Sequence, residues 1–281
     1  MIPKRALVVG SGGLYGAYDA GVLVELCKAL GPGYFDAVYA CSVGAVTAPF
    51  FITEQLETIE QTWCTVAFGK LIQYHNQLKR KKILNLDHLI GLFSEGRSLL
   101  DLEKLFASRM KLVFVLTEYK TGKAVYTTPS RENFFEYMRA SAAIPILHGP
   151  VEIDGIKYVD GGLSDQLPAL KALQDGYEEI VVISNRPSAY YAQSLTGLSK
   201  LASYLLPTPI ARAIRTYDLR LTAIEKAVEQ DPEHFILIRP KQALPLNSFV
   251  DRDAKRVTAT FQMGIRDMHR AIEEKILLSS L

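Results

Sequence analysis

Ala6 to Val9 is a short, fully apolar run, which predicts a central parallel strand. Gly10-Ser11-Gly12-Gly13-Leu14-Tyr15-Gly16 follows it. Apolar residues then recur at Ala20, Val22, Leu23, Leu26, Cys27 and Leu30, the spacing of a helix from Ala17 to Leu30 that Gly31-Pro32-Gly33 stops. Ala37 to Cys41 is β-prone, and Ala45 to Ala67 reads as a helix broken near Thr53, with Trp63 and Phe68 in the core. Gly69 to Gly96 is weakly patterned. Beyond it the pattern predicts a helix from Asp101 to Arg109, strands at Lys111–Thr117 and Lys123–Thr128, and a helix from Glu132 to Ala143 that Pro145 ends. Val151–Ile153 and Lys157–Val159 form a hairpin about Asp154-Gly155. Leu167–Gln174 is a helix and Glu179–Ser184 an apolar strand. A long helix is expected from Ile210 to Gln230, a last strand at Phe235–Arg239 and a closing helix from Asp251 to Leu278.

At 281 residues the chain can bury a large core, and with no repeat or low-complexity linker a single domain over 1–281 is expected. A net charge of +2 gives no reason to expect nucleic acid as a partner. Three cysteines (Cys27, Cys41, Cys64) make no disulfide framework. The N-terminus runs straight into a strand without a signal peptide, and no apolar stretch reaches the roughly 18 residues of a membrane span. A cytoplasmic protein is therefore expected, with room for peripheral contact at the membrane.

Three stretches carry candidate chemistry. In Ala40-Cys41-Ser42-Val43-Gly44, a serine stands between a strand and a small-residue helix start, the pattern of a nucleophile elbow. That turn lifts the hydroxyl off the sheet and aims a helix N-terminus at it. The Gly10–Gly16 turn has two readings. Gly10-x-Gly12 resembles the start of a dinucleotide fingerprint with Asp36 as its ribose acid, but the third glycine is displaced to Gly16 and Asp36 precedes its strand. In the second, the N–H groups of Gly12 and Gly13 form an oxyanion hole facing the elbow. The third stretch is Asp160-Gly161-Gly162, a carboxylate at a strand end followed by glycines that let another backbone approach.

A serine hydroxyl needs a base. Of His75, His88, His148, His234 and His269, none follows a strand end at the right sheet edge for a triad, which leaves Asp160 as a direct base in a Ser–Asp dyad. No tight His/Asp/Glu cluster has metal-ligand spacing, so neither metal nor cofactor is expected.

Four blocks occur together and in order: Gly10 to Leu23, Ala40 to Ala45, Ala140-Ser-Ala-Ala-Ile-Pro145 and Val159-Asp-Gly-Gly-Leu-Ser-Asp-Gln-Leu-Pro168. With Asn185-Arg186-Pro187, Tyr217 and Ile238-Arg239-Pro240, they make the chain resemble the bacterial patatin-like phospholipases over nearly its whole length. The resemblance implies an α/β fold, a three-layer α/β/α sandwich on a mostly parallel sheet. It also implies hydrolysis of phospholipids or other acyl-ester lipids. It maps the nucleophile onto Ser42, the base onto Asp160 and the oxyanion glycines onto Gly12 and Gly13, with Gly10 shaping the turn. The N–H of Val43 is expected to join them. Tyr15 stands where the family usually has Arg or Lys to steady the oxyanion loop, Ala40 where the elbow usually has glycine, and Ser11 where glycine is common. The alternative is a weak or inactive relative that binds lipid or a partner.

Two further stretches suit a lipid surface. Lys79-Arg80-Lys81-Lys82 would meet acidic headgroups. Leu195 to Arg220 would form a lid or membrane-facing edge, with Leu198, Leu201, Tyr204, Leu205 and Leu206 as anchors and Arg212, Arg215 and Arg220 as cations.

Overall fold

Five apolar runs of four to eight residues lie side by side as parallel strands, and their alternate side chains leave on opposite faces. The structure, a computed structural model, describes residues 3–66, 83–187, 203–251 and 253–274. In chain order the strands are β1 (Arg5–Val9), β2 (Ala37–Cys41), β3 (Lys111–Glu118), β4 (Ala124–Thr127), β5 (Val151–Ile153), β6 (Ile156–Asp160), β7 (Glu179–Ile183) and β8 (Phe235–Ile238). The sheet runs β5-β6-β3-β2-β1-β7-β8, with β4 also paired to β3. β3, β2, β1, β7 and β8 are parallel, whereas β4, β5 and β6 join by antiparallel pairs.

Leu7, Val9, Val38, Ala40 and Phe114 face one layer with the helices Gly16–Leu30, Val43–Ile52, Phe134–Ser141 and Ala254–Glu273. Ala6, Val8, Ala37, Tyr39 and Val113 face the other, against the helices Ala169–Gln174 and Tyr217–Glu229. The result is the expected mostly parallel sheet between two helical layers. On the first face, Gly16–Leu30 and Ala254–Glu273 touch backbone to backbone. A methyl on Gly21 would lie 2.0 Å from Phe261 O, and one on Gly264 2.1 Å from Tyr18 O.

Several elements differ from the sequence pattern. The helix expected from Ala45 starts at Val43, because Ser42 makes the turn alone. It stops at Ile52, and a short helix Leu56–Gln61 and a π turn Thr62–Val66 follow. The weakly patterned stretch contains a helix, Leu86–Ser94, whose Asn85 side chain caps the His88 N–H. The long helix expected over Ile210–Gln230 is two, Thr208–Arg215 and Tyr217–Glu229, divided at Thr216. There the Thr216 hydroxyl donates to Arg212 O, a bond that loosens a helix. The closing helix starts at Ala254, capped by Asp253. The basic run Lys79–Lys82, His75, Phe68, Leu198 and Leu201 lie outside the described residues.

Candidate active site

β1 has β2 on one side and β7 on the other, so the direction of winding reverses there. The crevice beyond the carboxyl ends of such strands is where ligands bind in open α/β sheets. The glycine turn follows β1, Ser42 follows β2 and Asn185 stands two residues past β7, so all three meet at that edge.

Ser42 has φ 54° and ψ −116°, a conformation that a residue with a Cβ rarely adopts. Gly44 permits the turn, since a methyl there would lie 2.3 Å from Val9 O. Ala40 sits wholly buried in the strand before it. Ser141, at the end of the helix Phe134–Ser141, holds the elbow from the other side. Its Oγ accepts the Ser42 N–H at 3.0 Å and donates to Val115 O at 2.7 Å.

Asp160 arrives from the opposite direction on β6. β2 and β6 flank β3, with Cys41 opposite Val115 and Asp160 opposite Leu116, so Ser42 and Asp160 reach one level of the sheet. The chain then crosses closely over β3, because a methyl on Gly161 would lie 2.1 Å from Val115 O. Ser42 Oγ donates to Asp160 Oδ2 at 2.6 Å, and Asp160 Oδ1 accepts the Gly162 N–H at 2.8 Å. Ser42 is 4% exposed and Asp160 5%. Burial pushes the Asp160 carboxyl up to about 7, against the lowering effect of those two hydrogen bonds.

Gly13 has φ 56°, and the Leu14 N–H donates to Phe249 O at 2.9 Å. Among the described residues, no acceptor takes the N–H groups of Gly12, Gly13 or Val43. Gly10 is confined by Leu167 and by Gln166 O, which accepts the Ser11 N–H at 2.9 Å. The dinucleotide reading fails on position. Asp36 Oδ2 accepts the Arg5 N–H at 2.8 Å, at the amino end of β1, far from the glycines. His234 pairs with Asp231 and His269 with Glu25, both away from Ser42.

From Ser42 and Gly13 a cavity of about 70 Å³ runs between Val46, Trp63, Leu89 and Phe249. Its walls are almost wholly apolar, which suits a hydrocarbon chain and not a charged ligand. A family profile described as Patatin-like phospholipase matches residues 7–173. The chain belongs to the patatin-like phospholipase family. This patatin-like chain is 26% identical over 254 residues to the uncharacterized protein YjjU of Escherichia coli (strain K12), an alignment covering 87% of this chain and 70% of that one. The crystal structure of VipD from Legionella pneumophila is similar over 96% of this patatin-like chain and 67% of its own, at 13% identity and a TM-score of 0.46.

The sequence blocks thus come together at one edge. Ser141, Asn185, Asp19 and Tyr217 also surround that edge, and none was singled out as a site residue from sequence. The signal for Asn185 is its place just past an apolar strand next to β1. The signal for Asp19 is a carboxylate set among small and apolar residues in the first turn of its helix.

Proposed function

We propose that the chain hydrolyses acyl esters of lipids, with phospholipids as the leading class, through a Ser42–Asp160 dyad. The observation that carries this reading is the 2.6 Å bond from Ser42 Oγ to Asp160 Oδ2 at the head of the apolar cavity. Ser42 Oγ attacks the ester carbonyl carbon while its proton passes to Asp160. The N–H groups of Gly12, Gly13 and Val43 stabilise the oxyanion, each such donor contributing on the order of 100- to 1000-fold in rate. When the tetrahedral intermediate collapses, Asp160 returns the proton to the departing alcohol. Water then attacks the acyl-serine, giving a proton to Asp160 and then to Ser42.

The reading includes contact with a lipid surface. Tyr204 is 70% exposed and Leu205 90%, and the Arg215 guanidinium lies 4.9 Å from the Tyr204 ring centroid. Apolar anchors beside cations suit a headgroup interface. Arg220 does not belong to that set, because its guanidinium points inward to Leu163 O, Ala213 O and Thr216. Among the described residues no helix is long and apolar enough to cross a membrane. Leu205→Asp is expected to lose binding to acidic phospholipid vesicles while keeping turnover of a water-soluble ester. Unchanged vesicle binding removes this surface from the reading.

The decisive experiment is labelling with a fluorophosphonate and turnover of a p-nitrophenyl ester by wild type, Ser42→Ala and Asp160→Asn. Labelling of Ser42 that falls by about 100-fold or more in Asp160→Asn fits loss of a general base. A folded wild type that neither labels nor turns over overturns the hydrolase reading and favours a lipid- or partner-binding relative.

A further inference from the structure

The glycine loop must aim two N–H groups at one point, and Tyr15 supplies no cation to hold it. In a trans peptide the C=O and N–H of one unit point to opposite sides. Whatever fixes the Ser11 carbonyl therefore fixes the Gly12 N–H, and whatever fixes the Gly12 carbonyl fixes the Gly13 N–H. The second is local, since the Tyr15 N–H donates to Gly12 O at 3.2 Å. The first comes from far along the chain. Asn185 Nδ2 donates to Ser11 O at 3.0 Å and, with its other proton, to Asp19 Oδ2 at 2.7 Å. Ser11 O only accepts, so the carboxamide nitrogen must face it.

We infer that Asn185, braced by Asp19, is the positioning residue that aims the Gly12 N–H into the oxyanion hole, in the role a cation at Tyr15 would otherwise fill. The inference rests on the Ser42–Asp160 reading. The loop is pressed against this carboxamide, because a methyl on Gly12 would lie 2.3 Å from Asn185 Nδ2. The carboxamide is held in turn by its two hydrogen bonds, to Ser11 O and Asp19 Oδ2, so it sets the height of the loop. Asp19 lies in the first turn of the helix Gly16–Leu30 and is 1% exposed. Its Oδ1 has no hydrogen-bond partner among the described residues. Burial raises its carboxyl above the usual range, against the lowering effect of the Asn185 hydrogen bond.

Asn185→Leu keeps the size and removes the donor. It is expected to lower kcat and the rate of phosphonate labelling by about 10- to 100-fold, less than or near the loss of one oxyanion donor, with KM for a short ester within about twofold. Hydrogen exchange over residues 10–16, read by mass spectrometry, is expected to quicken about tenfold while the rest of the molecule is unchanged. Asp19→Asn keeps the Ser11 contact and is expected to lose less than Asn185→Leu. Asn185→Ser replaces Asn185→Leu if the latter does not fold. Unchanged exchange over 10–16 together with unchanged kcat overturns the inference, as does a loss confined to KM. If wild type neither labels nor turns over, the hydrolase reading falls, and the exchange measurement still decides whether Asn185 holds the loop.

Discussion

Ser42 holds a positive φ with a side chain attached, a conformation costing on the order of 1–3 kcal/mol that persists because its surroundings over-determine it. Ser42→Gly relieves the backbone and Ser42→Ala does not. The glycine variant is therefore expected to be more stable than the alanine one by about 1 kcal/mol in denaturant unfolding. Asp160 adds a second cost. Its carboxyl titrates near 7 in the folded chain, above the usual aspartate value, so the native state holds a proton that the unfolded chain releases. Between about pH 4 and 7 the native state binds more protons, and stability falls as pH rises at up to roughly 1.4 kcal/mol per unit. Asp160→Asn is expected to flatten that slope in melts run across the range. Under the proposed dyad, activity has the opposite sign: the base must be ionised, so kcat/KM is expected to rise with pH up to about 7 and then level. Ser42 and Asp160 were legible in the sequence because each sits at punctuation, a strand ending in small residues or glycines. The roles of Ser141, Asn185 and Asp19 were not, because each rests on a hydrogen bond to a residue distant in the chain, which local spacing does not reveal.

The helices Gly16–Leu30 and Ala254–Glu273 show what one element asks of another. Gly21 and Gly264 each face a carbonyl of the partner at a distance no Cβ can occupy. Gly264→Ala is expected to lower stability by about 3 kcal/mol or more, since the overlap is with backbone and not with a flexible side chain. A drop under 1 kcal/mol in urea unfolding would mean that the pair slides apart freely. Strands were legible nearly to the residue, because parallel strands buried on both faces are continuous apolar runs bounded by glycine or polar residues. Helix limits were less so. The start at Val43 depends on how far Ser42 alone can turn the chain, and the break at Thr216 on a hydroxyl bond to Arg212 O. That break leaves Tyr217 free to turn toward the glycine loop, where its hydroxyl and Ser11 Oγ lie 3.1 Å apart. The helix Leu86–Ser94 escaped notice because periodicity over two turns is a weak signal in a weakly patterned stretch of sequence.

At the scale of the whole molecule, the site belongs to no single part of the chain. β1 supplies the glycine loop, β2 the serine, β6 the aspartate and β7 the asparagine beneath the loop. The general location was legible, since two strand-to-helix turns on neighbouring parallel strands must share a sheet edge. The contribution of β7 was not, because it depends on β7 being the other neighbour of β1. That neighbour is distant: Arg5 pairs with Glu179, and their side chains form an ion pair at 2.6 Å. A ribosome adding roughly 5–20 residues per second leaves β1 waiting on the order of ten seconds or more for this partner. Meanwhile one edge of an apolar strand is open to any other strand. A fragment stopped at residue 173, where the family match ends, stays in that condition permanently. It is expected to precipitate or to bind chaperones, and to show no phosphonate labelling. The candidate site is thus incomplete during synthesis by order of manufacture, and comes into being only when the latter part of the chain closes over the first.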